Sequence, residues 1–163
     1  MFRLMQLLGH RHSDAATAPK GEPSPQVSLW VITQDQELYQ RLADIVGAWN
    51  WEIRKETDLY SFSSARNGTA GILIVMIDSA AMGGSWKAAL SSLSKDSSDP
   101  CVILISPVLD DYLRREVIRC GGYDVVGKTE SREPLMRALR FAWFWKQSLL
   151  RLNARLAGNV SNR

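Results

Sequence analysis

The sequence has few of the residues that most often carry catalysis or bind metals. Of its 163 residues only two are cysteines, Cys101 and Cys120, and only two are histidines, His10 and His12. The cysteines show neither CxxC pairing nor metal-site spacing, and we predict that Cys101 is a small core residue. Both histidines fall in a polar segment near the start, so no plausible Ser/His/Asp catalytic set can be assembled.

Several longer patterns are also missing. GxGxxG does not occur. GxxxxGK[ST] occurs once as a letter match, over residues 122–129, but that run has the pattern of a strand rather than of a glycine-rich loop that opens a helix, which leaves nucleotide binding of those two kinds without support. No apolar run approaches the roughly 18 residues of a membrane span. The opening MFRLMQLLG has too short an apolar stretch for a secretory leader. We therefore expect a cytoplasmic protein without a membrane span.

Acidic residues are absent from the end of the chain. The net charge is +3, yet six basic residues and no acidic ones follow Glu133, so the remainder is slightly acidic. A basic segment can contact nucleic acid, but no helix-turn-helix or other DNA-reading module follows it. We expect no nucleic-acid partner.

The organisation predicted is one domain with two tails. Residues 1–26 are rich in proline, glycine, serine and charge, which is typical of a disordered tail. Strand and helix patterns then alternate five times over residues 27–147, and residues 148–163 form a basic extension of the last helix. Continuous apolar runs such as GILIVMID and CVILIS are typical of strands buried on both faces, so we predict an α/β doubly wound parallel sheet.

Three of the apolar runs end on polar side chains. Asp78 closes GILIVMID, Ser106 closes CVILIS, and Lys128 closes GGYDVVGK. In an open parallel sheet, ligands bind beyond the carboxyl ends of the strands, so these side chains should meet at one edge. A carboxylate, a hydroxyl and an ammonium group placed together can bind or carry a phosphoryl group.

With these three residues at the strand ends, the segment of about 27–147 resembles the receiver domain of bacterial two-component response regulators. The resemblance implies a flavodoxin-like five-stranded sheet of order 2-1-3-4-5, with Asp78 as phosphoacceptor and with Ser106 and Lys128 as switch and phosphate-binding residues. Counting from Pro100 would place the hydroxyl at Ile105, but counting back from Lys128 gives Ser106, which we adopt. The implied function is that of a stand-alone receiver in phosphorelay signalling. The implied partners are a histidine kinase or phosphotransfer protein and a downstream signalling protein.

The sequence departs from the family pattern at the magnesium site. Thr33 and Gln34 stand where the family has two acids, and Asp35 comes one residue later. Mg²⁺ is usually recruited by one or two carboxylates, so Asp78 and Asp35 would form only a weak metal site. The family's aromatic switch residue, three positions before the lysine, is replaced by Val125.

Three alternatives to a working phosphoacceptor stay open. The protein could be a phosphorylation-independent pseudo-receiver that acts as a protein–protein interaction module. Asp78 and Lys128 could instead form an inert, partly buried ion pair, although desolvation makes such a pair a poor stabiliser. A small flavodoxin-like enzyme is the alternative from another class, and we expect the protein not to be an enzyme.

The last helix is longer than a receiver domain needs. Apolar residues recur at helical spacing beyond the domain, and we predict a partner surface there formed by Trp145, Leu149, Leu152 and Leu156. A homodimer through this helix would bring Arg151 and Arg155 against like charges in parallel pairing. An acidic partner helix, or a fold-back onto the domain, avoids that repulsion.

Overall fold

The computed structural model describes residues 26–66 and 71–160. All but the last residue of the predicted N-terminal tail, 1–26, lies outside that part. Strands and helices alternate as β1 (Val27–Ile32), α1 (Gln36–Val46), β2 (Glu52–Glu56), α2 (Leu59–Ala65), β3 (Ile72–Asp78), α3 (Trp86–Leu93), β4 (Cys101–Ser106), α4 (Asp111–Arg119), β5 (Asp124–Gly127) and α5 (Arg132–Val160).

The five strands form one parallel sheet of order β2-β1-β3-β4-β5, which confirms the predicted topology. The register brings the strand ends level with one another. Asp78 pairs with Ile105, and Ser106 pairs with Gly127, the residue before Lys128. The carboxyl ends of β3, β4 and β5 therefore form a common edge.

Every residue of β1, β3 and β4 is buried. Alternate side chains point to opposite faces of a strand, so each face of the sheet needs its own cover. Helices α1 and α5 cover one face, where Leu42 and Leu139 pack with Met76. Helices α2, α3 and α4 cover the other face, where Phe62 and Leu90 belong to the second core. This two-sided burial explains why the central strands are uninterrupted apolar runs.

One local feature differs from the predicted pattern, and another agrees with it. The segment after β3, predicted as a plain loop, contains a 3-10 turn over Ser79–Met82. The predicted core residue Cys101 is buried and has a free thiol, and burial raises its pKa to about 12.

Helix α5 begins at Arg132 and runs for 29 residues, about 44 Å. The proline at position 134 lies in its first turn, where its missing amide hydrogen is tolerated. None of the described helices is both long and apolar enough to span a membrane.

Candidate functional site

Asp78 is the last residue of β3 and lies at the centre of the carboxyl edge. Its Oδ2 accepts hydrogen bonds from Lys128 Nζ at 2.8 Å and from Thr33 Oγ1 at 2.8 Å. Among the described residues, its Oδ1 accepts one hydrogen bond, from the Ala80 amide at 3.1 Å. The Asp78 side chain is only 2% exposed. This carboxylate is therefore buried, and its two oxygens differ in how many donors they receive.

Lys128 follows β5 and lies between two carboxylates. Its ammonium group is 2.8 Å from Asp78 Oδ2 and 3.3 Å from Asp35 Oδ2. The hydrogen bond to Asp78 is the main reason that the pKa of Lys128 is raised, with Asp35 adding to it and burial opposing it. Lys128 is therefore a fixed positive charge at this edge.

Asp35 has two separate contacts, one for each carboxylate oxygen. It is the N-cap of α1, where its Oδ1 accepts from the Leu38 amide at 3.0 Å, and its Oδ2 faces Lys128. The Leu38 hydrogen bond is the largest cause of its lowered pKa, and Lys128 lowers it further. Asp35 thus links the start of α1 to the Lys128 ammonium group.

Thr33 is fully buried and connects the Asp78 carboxylate to the backbone of Asp35. Besides donating to Asp78, its Oγ1 accepts from the Asp35 amide at 3.0 Å. Sequence reasoning treated Thr33 only as a missing acid. Its position directly after β1, the neighbour of β3, was the signal that it lies beside Asp78. The neighbouring Gln34 is exposed.

Arg41 on α1 holds the segment that carries Lys128, and sequence reasoning missed it. Its guanidinium donates to the Lys128 carbonyl at 2.6 Å and to the Glu130 carbonyl at 2.9 Å. Carbonyl acceptors leave no trace in a side-chain pattern. The one available signal was an arginine between the buried residues Leu38 and Leu42 of α1.

Ser106 lies at the same edge, but its hydroxyl group has another partner. Ser106 Oγ accepts from the Val108 amide at 3.3 Å, and the Ser106 carbonyl accepts from the Lys128 amide at 2.8 Å. Among the described residues, its hydroxyl makes no hydrogen bond to the side chains of Asp78 or Lys128. The structure thus brings together Asp78, Lys128 and Asp35 through their side chains and Ser106 through its backbone.

The residues at this edge do not fit a magnesium ion. The two positions where the receiver family has acids hold Thr33, whose hydroxyl group donates to Asp78, and Gln34, which is exposed. Every carboxylate oxygen of Asp78 and Asp35 already faces a hydrogen-bond donor or the Lys128 ammonium group. Within residues 26–66 and 71–160 no group of three His, Cys, Asp or Glu side chains could hold a metal ion.

The predicted partner-surface residues follow one another along α5. Trp145, Leu152 and Leu156 are exposed, whereas Leu149 is half-buried. Trp145 also packs on Tyr123, with ring centroids 5.4 Å apart. Val125 belongs to the core on the opposite face of the sheet.

Comparison with known proteins identifies the fold. No protein-family model matches this sequence, and no curated protein matches it either. A response regulator from Thermotoga maritima has the same fold with a TM-score of 0.64 and 13% identity, over 72% of this chain and 98% of its own. The signal receiver domain of an HD domain-containing protein from Pseudomonas fluorescens gives a TM-score of 0.68 and 16% identity, over 83% and 98%.

NtrX from Brucella abortus gives a TM-score of 0.68 at 22% identity, over 83% of this chain and 30% of NtrX. The resemblance drawn from the residues is thus confirmed as a divergent receiver-like fold. At these identities the likeness concerns architecture, and the chemistry must be argued from the residues of this chain.

Proposed function

We propose that this protein is a receiver-like signalling module of a phosphorelay, with Asp78 as the phosphoacceptor. The observation that carries the proposal is the 2.8 Å contact between Asp78 and Lys128 at the carboxyl ends of β3 and β5. A buried carboxylate beside a fixed ammonium group supplies both a nucleophile and a positive charge for a transferred phosphoryl group.

The proposed step uses Asp78 Oδ1 as the attacking atom. Oδ2 is held by Lys128 and Thr33, whereas within the described part of the chain Oδ1 accepts a hydrogen bond only from the Ala80 amide. The Oδ1–P bond forms as the P–N bond of a partner phosphohistidine breaks, and the electron pair of that bond stays on the imidazole nitrogen. The Lys128 ammonium group would offset the charge of the phosphoryl oxygens. Because the residues do not fit magnesium, no step is assigned to a metal.

The partners in this proposal are a histidine kinase or phosphotransfer protein upstream and a signalling protein downstream. The proposal includes a cytoplasmic location, where such partners would be met. The proposed role is signalling rather than catalysis. Both histidines of the chain precede the described residues, and burial raises the pKa of the Cys101 thiol, which disfavours its thiolate as a nucleophile.

A second candidate is a phosphorylation-independent pseudo-receiver that works as an interaction module. The observation that favours it is the closed hydrogen-bond set around Asp78. Its side chain is 2% exposed, and Thr33 donates to it where the family places a metal-binding acid. A phosphoryl donor could then reach Asp78 only after the groups around this carboxylate move.

Incubation with acetyl phosphate, followed by intact-mass measurement, separates the two candidates. Parallel samples contain Mg²⁺, Mn²⁺ or EDTA, and the matched control is Asp78→Asn. If Asp78 is the phosphoacceptor, the wild-type chain gains one phosphoryl group that hydroxylamine removes, and Asp78→Asn gains none.

The absence of an adduct from acetyl phosphate and from a phosphorylated phosphotransfer domain, with every cation, would reject the phosphoacceptor role. An adduct of equal size on Asp78→Asn would reject it too, because the modified residue would then lie elsewhere. Either result leaves the pseudo-receiver as the function to pursue.

A further inference from the structure

The outer face of α5 carries an apolar stripe that nothing in the described part of the chain covers. Its members are Phe141, Trp145, Leu152 and Leu156, which are 45–57% exposed. At 3.6 residues per turn these positions lie on one face of the helix, and we call them the α5 stripe. Large apolar side chains aligned in this way mark an interaction surface more often than scattered ones do.

Arginines border one side of the α5 stripe. Arg137, Arg140, Arg151 and Arg155 fall on a common flank of the helix, next to the stripe. None of the four makes an ion pair with any residue described by the structure. No acidic residue follows Glu133 that could neutralise them within the helix. The stripe therefore has a strongly basic border.

The second half of α5 receives little support from its own domain. Lys146 is the last firmly anchored residue, with its ammonium group on the carboxylate and carbonyl of Asp99. The helix then continues to Val160, about 20 Å further, and residues 151–158 are all exposed. Short helices are marginal in water without tertiary packing, so a partner would stabilise this segment.

We propose that the α5 stripe docks an amphipathic helix of an acidic partner protein. The stripe would supply the apolar contacts, and glutamates or aspartates on the partner would pair with the bordering arginines. A second copy of α5 fits less well, because it brings the same arginines and only Glu133 as an acid. This inference concerns a surface away from Asp78 and does not require its phosphorylation.

The test uses a synthetic helical peptide with leucines along one face and glutamates on both flanks. Its binding to the full chain is followed by fluorescence anisotropy of a label on the peptide. The control peptide has lysine in place of every glutamate. We expect the glutamate peptide to bind, the lysine peptide not to bind, and affinity to fall as salt rises.

Charge reversal then localises the binding. The double variant Arg151→Glu/Arg155→Glu should weaken the glutamate peptide at least tenfold and should gain binding of the lysine peptide. The matched control Arg115→Glu, an exposed arginine on α4, should leave the affinity within twofold of wild type. Leu152→Asp should weaken binding without loss of fold, since Leu152 is exposed.

Several results would overturn the proposal. These are no binding of the glutamate peptide, equal binding of both peptides, or binding that ignores the charge reversal. A dimer seen by analytical ultracentrifugation and abolished by Leu152→Asp would assign the stripe to a second copy. Cosedimentation with phosphatidylglycerol vesicles, lost in the same variants and without peptide binding, would assign it to an anionic membrane.

The peptide experiment and the phosphorylation experiment fail independently. Asp78→Asn should bind the glutamate peptide as tightly as wild type does. A chain that forms no phosphoryl adduct can still bind the peptide, and a chain that does not bind the peptide can still form the adduct.

Discussion

The carboxyl edge of the sheet has two halves that follow different chemistry. On the β3–β5 half, Asp78 and Lys128 form the acid–ammonium contact that the receiver resemblance implies. On the β1–α1 half, Thr33 stands in place of an acid and donates a hydrogen bond to Asp78. The backbone that positions both halves is the same parallel sheet.

The two halves show that the backbone of the sheet can stay the same while the side chains at its edge differ in charge. A second carboxylate beside Asp78 would repel it unless a cation lay between them. A hydroxyl group in the same place attracts it instead. The residue at position 33 therefore contributes to whether this edge would favour an external cation or would be neutralised by Lys128.

The largest effect is expected from Lys128→Met, which breaks the β3–β5 half. It leaves the buried Asp78 carboxylate without its ammonium partner and should lower the free energy of unfolding by about 3 kcal/mol. Urea denaturation followed by circular dichroism measures the loss. Asp78→Asn should cost less, because Lys128 is 22% exposed and keeps Asp35 as a partner.

The matched control for this variant is Lys95→Met, an exposed lysine, which should stay within about 0.5 kcal/mol of wild type. A Lys128→Met chain as stable as this control would mean that the Asp78–Lys128 contact contributes nothing to the fold.

The next effect comes from Thr33→Asp, which makes the β1–α1 half acidic. Two carboxylates would then share one buried position, and the free energy of unfolding should fall by about 2 kcal/mol without divalent cations. Mg²⁺ should restore part of this stability in Thr33→Asp. It should not raise the melting temperature of wild type or of Thr33→Val. A wild-type chain stabilised by Mg²⁺ as strongly as Thr33→Asp would contradict this account of Thr33.

A smaller effect is expected from Arg41→Met, which keeps the apolar stem but removes the donors to two carbonyl groups. The loss in free energy of unfolding should be about 1.5 kcal/mol. The exposed Arg115→Met is the control and should change little. Hydrogen exchange should become faster in the segment 128–130 of the Arg41 variant; unchanged protection there would show that Arg41 does not hold this loop.

The smallest effect concerns pH and the charge of Asp35. Because the pKa of Asp35 is lowered in the folded chain, its carboxylate stabilises the fold at pH values above the ordinary pKa of an aspartate. This stabilisation is lost as the pH falls through the pKa of Asp35 in the folded chain. Asp35→Asn keeps an N-cap side chain but cannot titrate. The urea midpoint should therefore drop less between about pH 5 and pH 2 in this variant than in wild type.

The opposite sign applies to Lys128. The pKa of Lys128 is raised in the folded chain, so its ammonium group stabilises the fold fully at pH values below the ordinary lysine pKa of about 10.4. This stabilisation is lost as the pH rises through the pKa of Lys128 in the folded chain. Lys128→Met should lack this alkaline loss. An identical alkaline profile in wild type and variant would show that other groups cause it.

The sheet and the Asp78–Lys128 contact could be predicted because both follow from patterns that the chain displays. Continuous apolar runs indicated two-sided burial, and parallel strands end at one edge, so their terminal side chains had to lie near one another. The overhang of α5 followed from helical spacing that continues past the domain.

The rest depends on contacts that leave no pattern in a single sequence. Nothing in the letters around Thr33 says that its hydroxyl group would donate to one carboxylate and accept from the amide of another residue. Arg41 reaches carbonyl groups 87 and 89 positions away, and every residue has a carbonyl. Ser106 was placed at the correct edge, but the turn to Val108 occupies its hydroxyl group.

Helix α1 and its N-cap residue contact the segment after β5 at two points. One is the contact of Asp35 with the Lys128 side chain, and the other is Arg41 on the backbone of Lys128 and Glu130. Any event that draws Lys128 toward a new anion must either lengthen these contacts or move α1 together with Lys128. A displacement of Lys128 at the edge would in this way reach α1, which covers the face of the sheet opposite α4.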